Sequence, residues 1–218
     1  MSQKEKHFQL AARIVMILFL LINVALGIYY VTLGKVYNFT LLFCAVLLPV
    51  LLKILYRILK FQRVYQLDIL IYLFFFTLYT IGLATNGYHY IPYYDKFAHT
   101  FSGVFTSYLA LILFYVLKPV KKIEKSDFSL ASVFTLAVAV AVAGIWEIAE
   151  YITGLICGTD PQNVLTTGVA DTMWDIIVCA FGALFMIVPY FLYYKKEKKD
   201  LFMQSFELMF YRNIQKQQ

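Results

Sequence analysis

Long apolar runs alternate with short polar breaks along this chain, and three of those runs abut clusters of ionisable residues. Phe101 to Leu117, Phe128 to Ile145 and Ile176 to Tyr194 each extend roughly 25–29 Å at ~1.5 Å per helical residue, close to the ~30 Å bilayer core. The first run follows Asp95-Lys96-Phe97-Ala98-His99. The second precedes Trp146-Glu147-Ile148-Ala149-Glu150-Tyr151, and the third follows Asp171-Thr172-Met173-Trp174-Asp175. Within each cluster the ionisable residues lie three or four apart, so a helix presents them on one face. Clusters placed this way belong at membrane edges.

The whole pattern predicts an all-α, polytopic membrane helical bundle of six spans: about 11–33, 39–59, 68–83, 97–117, 128–151 and 170–194. The first is too long for the apolar region of a signal peptide and lacks a cleavage site, so it reads as a retained span, with Arg13 snorkelling to the interface. Gly34 to Asn38 is a tight turn, Pro49 is a kink tolerated inside its span, and Pro189 lies near the end of the sixth. Thr85 to Tyr94 is an aromatic loop holding His89, an interface residue in the headgroup layer. Residues 1–195 form a single transmembrane domain. In the cytoplasmic tail, residues 196–218, Phe202, Phe206, Met209 and Phe210 fall on one side. That spacing predicts an interfacial amphipathic helix, with coil as the alternative.

Composition agrees: the chain is 61% hydrophobic and 18% aromatic, with a mean hydropathy of +0.71, which excludes an ordinary soluble domain. A net charge of +6 invites a nucleic-acid reading, but the basic residues fall between apolar runs. They serve topology and anionic lipid, with Lys53, Arg57 and Lys60 forming one stripe for lipid phosphates. With six spans, one side holds all of the 19 basic residues except Lys35 and Lys96. The positive-inside rule then makes both termini cytoplasmic, and the three polar clusters meet at the outer face of the cell membrane. Cys44 and Cys179 lie inside apolar runs and Cys157 near a loop. No disulfide framework or structural zinc motif follows.

The shared level brings together Asp95, His99, Glu147, Glu150, Asp171 and Asp175, with Lys96 as the nearby cation. Five carboxylates at close quarters need compensation: a bound cation, pairing with Lys96 and His99, or protonation. A His with carboxylates on facing helices is also how bundles build metal sites. The mixed nitrogen and oxygen set suits Zn, Mn or Fe. In the metal reading His99 and Asp175 are direct ligands, and Asp95, Lys96 and Asp171 are binding residues. Glu147, as a further ligand or as a base, and Glu150 supply the catalytic carboxylates, the unligated one acting as general base toward a phosphoryl or carbonyl group polarised by the ion.

Each residue also has a plainer reading. Single acidic residues at span ends are commonly solvated, Lys96 snorkels, and Trp146, Trp174 and Tyr151 are belt aromatics. Gly103 and Gly182 let helices approach closely. Asp68 pairs with Arg63.

The three segments, with Gly182-Ala183 after the last, resemble the YjdF-like bacterial integral membrane proteins over about residues 85–190. Those proteins carry D-x-x-x-H, E-x-x-E-W/Y and D-x-x-W-D…G-A segments. A fainter similarity reaches the VanZ-like proteins, linked to glycopeptide resistance, which share D-K-x-x-H and a later acidic helix. The resemblance implies a bacterial source and supports grouping these residues. Three functions stay open: a membrane hydrolase or transferase on a lipid or envelope precursor, a non-catalytic binder of a headgroup, antibiotic or metal ion, and a proton- or cation-coupled transporter. Against transport, no acidic or basic residue continues the cluster through the middle of the last three spans.

Overall fold

Hydrocarbon offers no hydrogen-bond partner to the backbone, so apolar runs of this length fold as helices that satisfy themselves. The computed structural model describes residues 3–217, all helix and loop, with no strand among them. Six helices are long and apolar enough to cross a membrane: α1 (Gln3–Thr32), α2 (Val36–Ile58), α3 (Tyr65–Ala84), α4 (Tyr94–Leu117), α5 (Asp127–Cys157) and α6 (Ala170–Lys196). Each begins at or before its expected start. α1 takes in the charged segment from Lys4 to Lys6, and α5 runs on to Cys157. The charged side chains at the start of α1 sit well on a helix that has left the apolar layer, so hydropathy under-reads that helix's length.

Both prolines break their helices as their chemistry dictates. The α-helical hydrogen bonding lapses at Leu47, two residues before Pro49, and at Met186, three before Pro189. A proline ring lacks the N–H and crowds the carbonyl four residues back. The expected turn after α1 is shorter than its sequence suggested. Gly34 takes φ +68°, Lys35 N–H donates to Tyr30 O at 2.9 Å, and the helix resumes at Val36, a glycine-terminated helix end.

The contacts divide the chain into two compact units, one running to Tyr94 and resuming at Gln204, the other from Asp95 to Met203. In the first, polar side chains knit apolar helices together. Thr80 donates to Asn23 Oδ1 at 2.9 Å, and Asn38 Nδ2 donates to Ala84 O at 2.9 Å. Asp68, fully buried, takes the guanidinium of Arg63 and the hydroxyl of Tyr56 at 3.0 Å. The expected Arg63 pairing is thus present, with a tyrosine added.

The second half of α3, Phe76–Ala84, widens into a π-helix. The tyrosine-rich loop folds back onto it: Tyr94 donates to Thr77 O at 2.6 Å and Tyr88 to Leu78 O at 3.2 Å. These hydroxyls supply donors to a stretch whose ladder departs from the α register. His89 stacks edge-on against Tyr90, ring centroids 5.0 Å apart.

The tail is the amphipathic helix its spacing predicts, α7 (Leu201–Met209), extended by Phe210–Ile214. Its apolar side lies buried in the protein instead of on the membrane surface. Phe206 and Phe210 are fully enclosed, and Asn213 clasps the Gln62 main chain, accepting from its N–H at 2.6 Å and donating to its carbonyl at 3.0 Å.

Candidate functional site

The second unit contains α4, α5, α6 and every ionisable residue of the three clusters. What brings α4 against α6 is a reciprocal pair of glycines. A methyl group on Gly103 would lie 2.0 Å from the Cys179 carbonyl oxygen, and one on Gly182 would lie 2.0 Å from that of Thr100. Each helix backbone therefore rests where the other has no side chain, the small-residue packing expected within membranes. Gly103 lies one turn beyond His99, and Gly182 two turns beyond Asp175. The close crossing therefore sets the spacing of the polar residues.

Lys96 is the centre of the resulting cluster. Its Nζ lies 2.9 Å from Asp95 Oδ2, 2.6 Å from Asp171 Oδ1 and 2.8 Å from Asp175 Oδ1. His99 Nε2 stands 3.6 Å from Asp95 Oδ1 and 3.8 Å from Asp175 Oδ1. His99 and Asp175 are both buried, while Asp95 is half-buried. One ligand atom from each of Asp95, His99 and Asp175 falls within a 4.8 Å span. Bonds of ~2.0–2.2 Å in tetrahedral array put neighbouring ligands roughly 3.3–3.6 Å apart. The three donors are close to that spacing without rearrangement of the helices.

The connection between α5 and α6 adds two amides that the sequence did not single out. Asn163 Nδ2 donates to Asp171 Oδ2 at 2.8 Å, and Gln162 Nε2 donates to Glu147 Oε2 at 3.1 Å and to the Glu147 carbonyl at 3.0 Å. Lone amides in a glycine- and proline-containing loop carry no periodic signal, so nothing in the chain's pattern marks them. Glu147 is 4% exposed, and its Oε1 is buried with no hydrogen-bond partner among the described residues. Glu150 lies on the neighbouring part of α5 and accepts from Trp146 Nε1 at 2.8 Å. Trp146, Trp174 and Tyr151 are all exposed, and Trp146 adds this hydrogen bond.

Of the expected site residues, Asp95, Lys96, His99, Asp171 and Asp175 form one connected group, and Glu147 and His99 are near enough to interact electrostatically. Glu150, which accepts from Trp146, is likewise near enough to Glu147, Asp95 and Asp171 to interact electrostatically. No ionisable residue lies in 100–117, 128–145 or 176–194 apart from tyrosines and Cys179, so no charged path leads inward from the cluster.

No curated protein and no solved structure matches the chain. The similarity to VanZ-like proteins is not shown, whereas the YjdF-like resemblance agrees with the family found. With a match over residues 11–196, the chain belongs to the family described as predicted membrane protein (DUF2238).

Proposed function

We propose that this is a metal-dependent membrane protein whose Asp95–His99–Asp175 site, at the outer face of a bacterial cell membrane, acts on or binds the headgroup of a lipid or envelope precursor. One observation supports this most: an imidazole and two carboxylates, from two spans, converge within 4.8 Å. Nitrogen and oxygen donors of this kind suit Zn, Mn or Fe. A bound ion polarises a phosphoryl or carbonyl oxygen and acidifies a water. Lys96 keeps Asp171 as a partner independent of the three ligands, and stands beside them for an anionic group. Glu147 and Glu150 are the bases within the same neighbourhood.

The test is metal analysis of protein purified without chelators. Wild type is expected to carry about one divalent ion per chain, and Asp175→Ala to carry little, because a structural or catalytic site seldom survives loss of one of three protein ligands. Equal metal content in the two proteins rejects the assignment. A second reading has one observation in its favour, the three carboxylates already paired with Lys96. On that reading the cluster is a metal-free binding site, and wild type itself carries no stoichiometric ion.

The orientation has its own check. The distribution of Lys and Arg supports the reading that both termini are cytoplasmic. Single cysteines at Tyr88 and Lys122, both in connections between spans, are then labelled by a membrane-impermeant maleimide from opposite sides. Labelling of both from one side removes the outer-face placement.

A further inference from the structure

Beside the polar cluster lies a cleft of about 440 Å³ whose walls come from α5, the following connection and the start of α6. Ile148, Tyr151, Val164 and Val169 give it an apolar lining, and Glu147 with Gln162 forms its polar part. The volume falls in the range of small-ligand sites, roughly 300–1,000 Å³. Glu147 is held here by Gln162 through one oxygen only. The other oxygen is buried and unpartnered among the described residues, on a residue 4% exposed. A buried polar atom left unpaired is costly, so a donor arriving with a ligand has a ready acceptor.

Charge chooses the donor. Asp95, Asp171 and Asp175 hold Lys96 between them, and Glu147 and Glu150 lie within electrostatic reach of that group, so carboxylates outnumber the lysine and the neighbourhood favours a cation over a neutral hydroxyl. We infer that the cleft binds a membrane amphiphile with a primary ammonium headgroup, its apolar part against Ile148, Tyr151, Val164 and Val169 and its N–H groups on Glu147 Oε1. This deepens the reading above, on which it rests for the site, by naming the substrate class. A zwitterionic phosphate–ammonium headgroup then meets Glu147 with its ammonium. Base duty falls to Glu150.

Native mass spectrometry of the full chain, titrated with phosphatidylethanolamine, phosphatidylcholine or phosphatidylglycerol of matched acyl chains, tests this. Phosphatidylcholine carries the same charge with no N–H to donate, and phosphatidylglycerol offers hydroxyls with a net negative charge. Wild type is expected to retain phosphatidylethanolamine about tenfold better than either. Glu147→Gln, which keeps the shape and removes the charge, should abolish the preference. Val169→Trp, at a position 68% exposed, should weaken retention by filling the cleft without touching Glu147. Equal retention of phosphatidylethanolamine and phosphatidylcholine overturns the proposal, as does equal retention of phosphatidylglycerol or a preference that survives both substitutions. Metal content, measured on the same samples, separates this outcome from failure of the metal assignment. An ion without lipid preference rejects the cleft alone, and lipid preference without an ion rejects the metal alone.

Discussion

Gly103→Ala lowers the melting temperature of the detergent-solubilised protein by about 6–12 °C, taking ~3 kcal/mol for forced overpacking and ~2–4 °C per kcal/mol for a chain this size. The added methyl group meets the Cys179 carbonyl oxygen at 2.0 Å and its carbon at 2.8 Å. Neither atom belongs to a side chain that can swing away. Ordinary contact begins near 3.4 Å, so α4 and α6 must separate. Because Lys96 and Asp175 face one another across that same pair of helices at 2.8 Å, the cluster loosens with the crossing. Gly182→Ala has the same effect from the other side, against Thr100 O and Val104 N.

Gly144→Ala is the internal control. It sits within α5 with nothing inside 4 Å of the new methyl group, and a helical Gly→Ala change at an uncrowded position is worth about 0.5–1 kcal/mol of added stability. If Gly103→Ala melts with Gly144→Ala, the close crossing is not what holds these helices.

Asp127→Ala is the second large effect, a loss of about 3 kcal/mol. Asp127 begins α5 and gathers four donor contacts. Lys118 Nζ reaches Oδ1 at 2.7 Å and Oδ2 at 2.9 Å, Tyr115 donates to Oδ2 at 2.7 Å, and the Glu124 N–H donates to Oδ2 at 2.8 Å. Tyr115 in turn shares a 2.9 Å hydrogen bond with Tyr194 near the end of α6. The carboxylate thereby ties the ends of α4 and α6 to the start of α5. Removing it takes one acceptor from Lys118, largely covered, which keeps Glu124 and the Lys122 carbonyl, and one from the buried Tyr115 hydroxyl, which keeps Tyr194. Breaking one side of a buried pair costs more than the pair contributes, because the stranded group has lost its water. Asp127→Asn retains acceptors for Tyr115 and Glu124 and should fall between the two. Thermal melts of the three proteins decide it, and an alanine variant that melts with wild type refutes the role. Since Asp127 lies outside the polar cluster, its metal content per folded chain should stay at the wild-type level.

The six spans, their order and the amphipathic tail were legible because hydropathy is local and additive. A run of apolar side chains has the same meaning whatever surrounds it. The two glycines that permit the α4–α6 crossing, and the Arg63–Asp68 pair only five residues apart, were legible for similar reasons. So was the grouping of Asp95, Lys96, His99, Asp171 and Asp175, since helical spacing and membrane depth are both countable along the chain. Partner choice was not legible. That Lys96 binds three carboxylates, two of them 75 and 79 residues away, depends on how closely two backbones approach. The same holds for Gln162 on Glu147, for Tyr88 and Tyr94 on the π-helical stretch, and for the burial of Phe206 and Phe210. Periodicity places a side chain on a face and at a depth. Only the packing of one helix on another, at ångström scale, decides which atoms a polar group meets there, since hydrogen bonds and ion pairs are lost over distances far shorter than a helical turn.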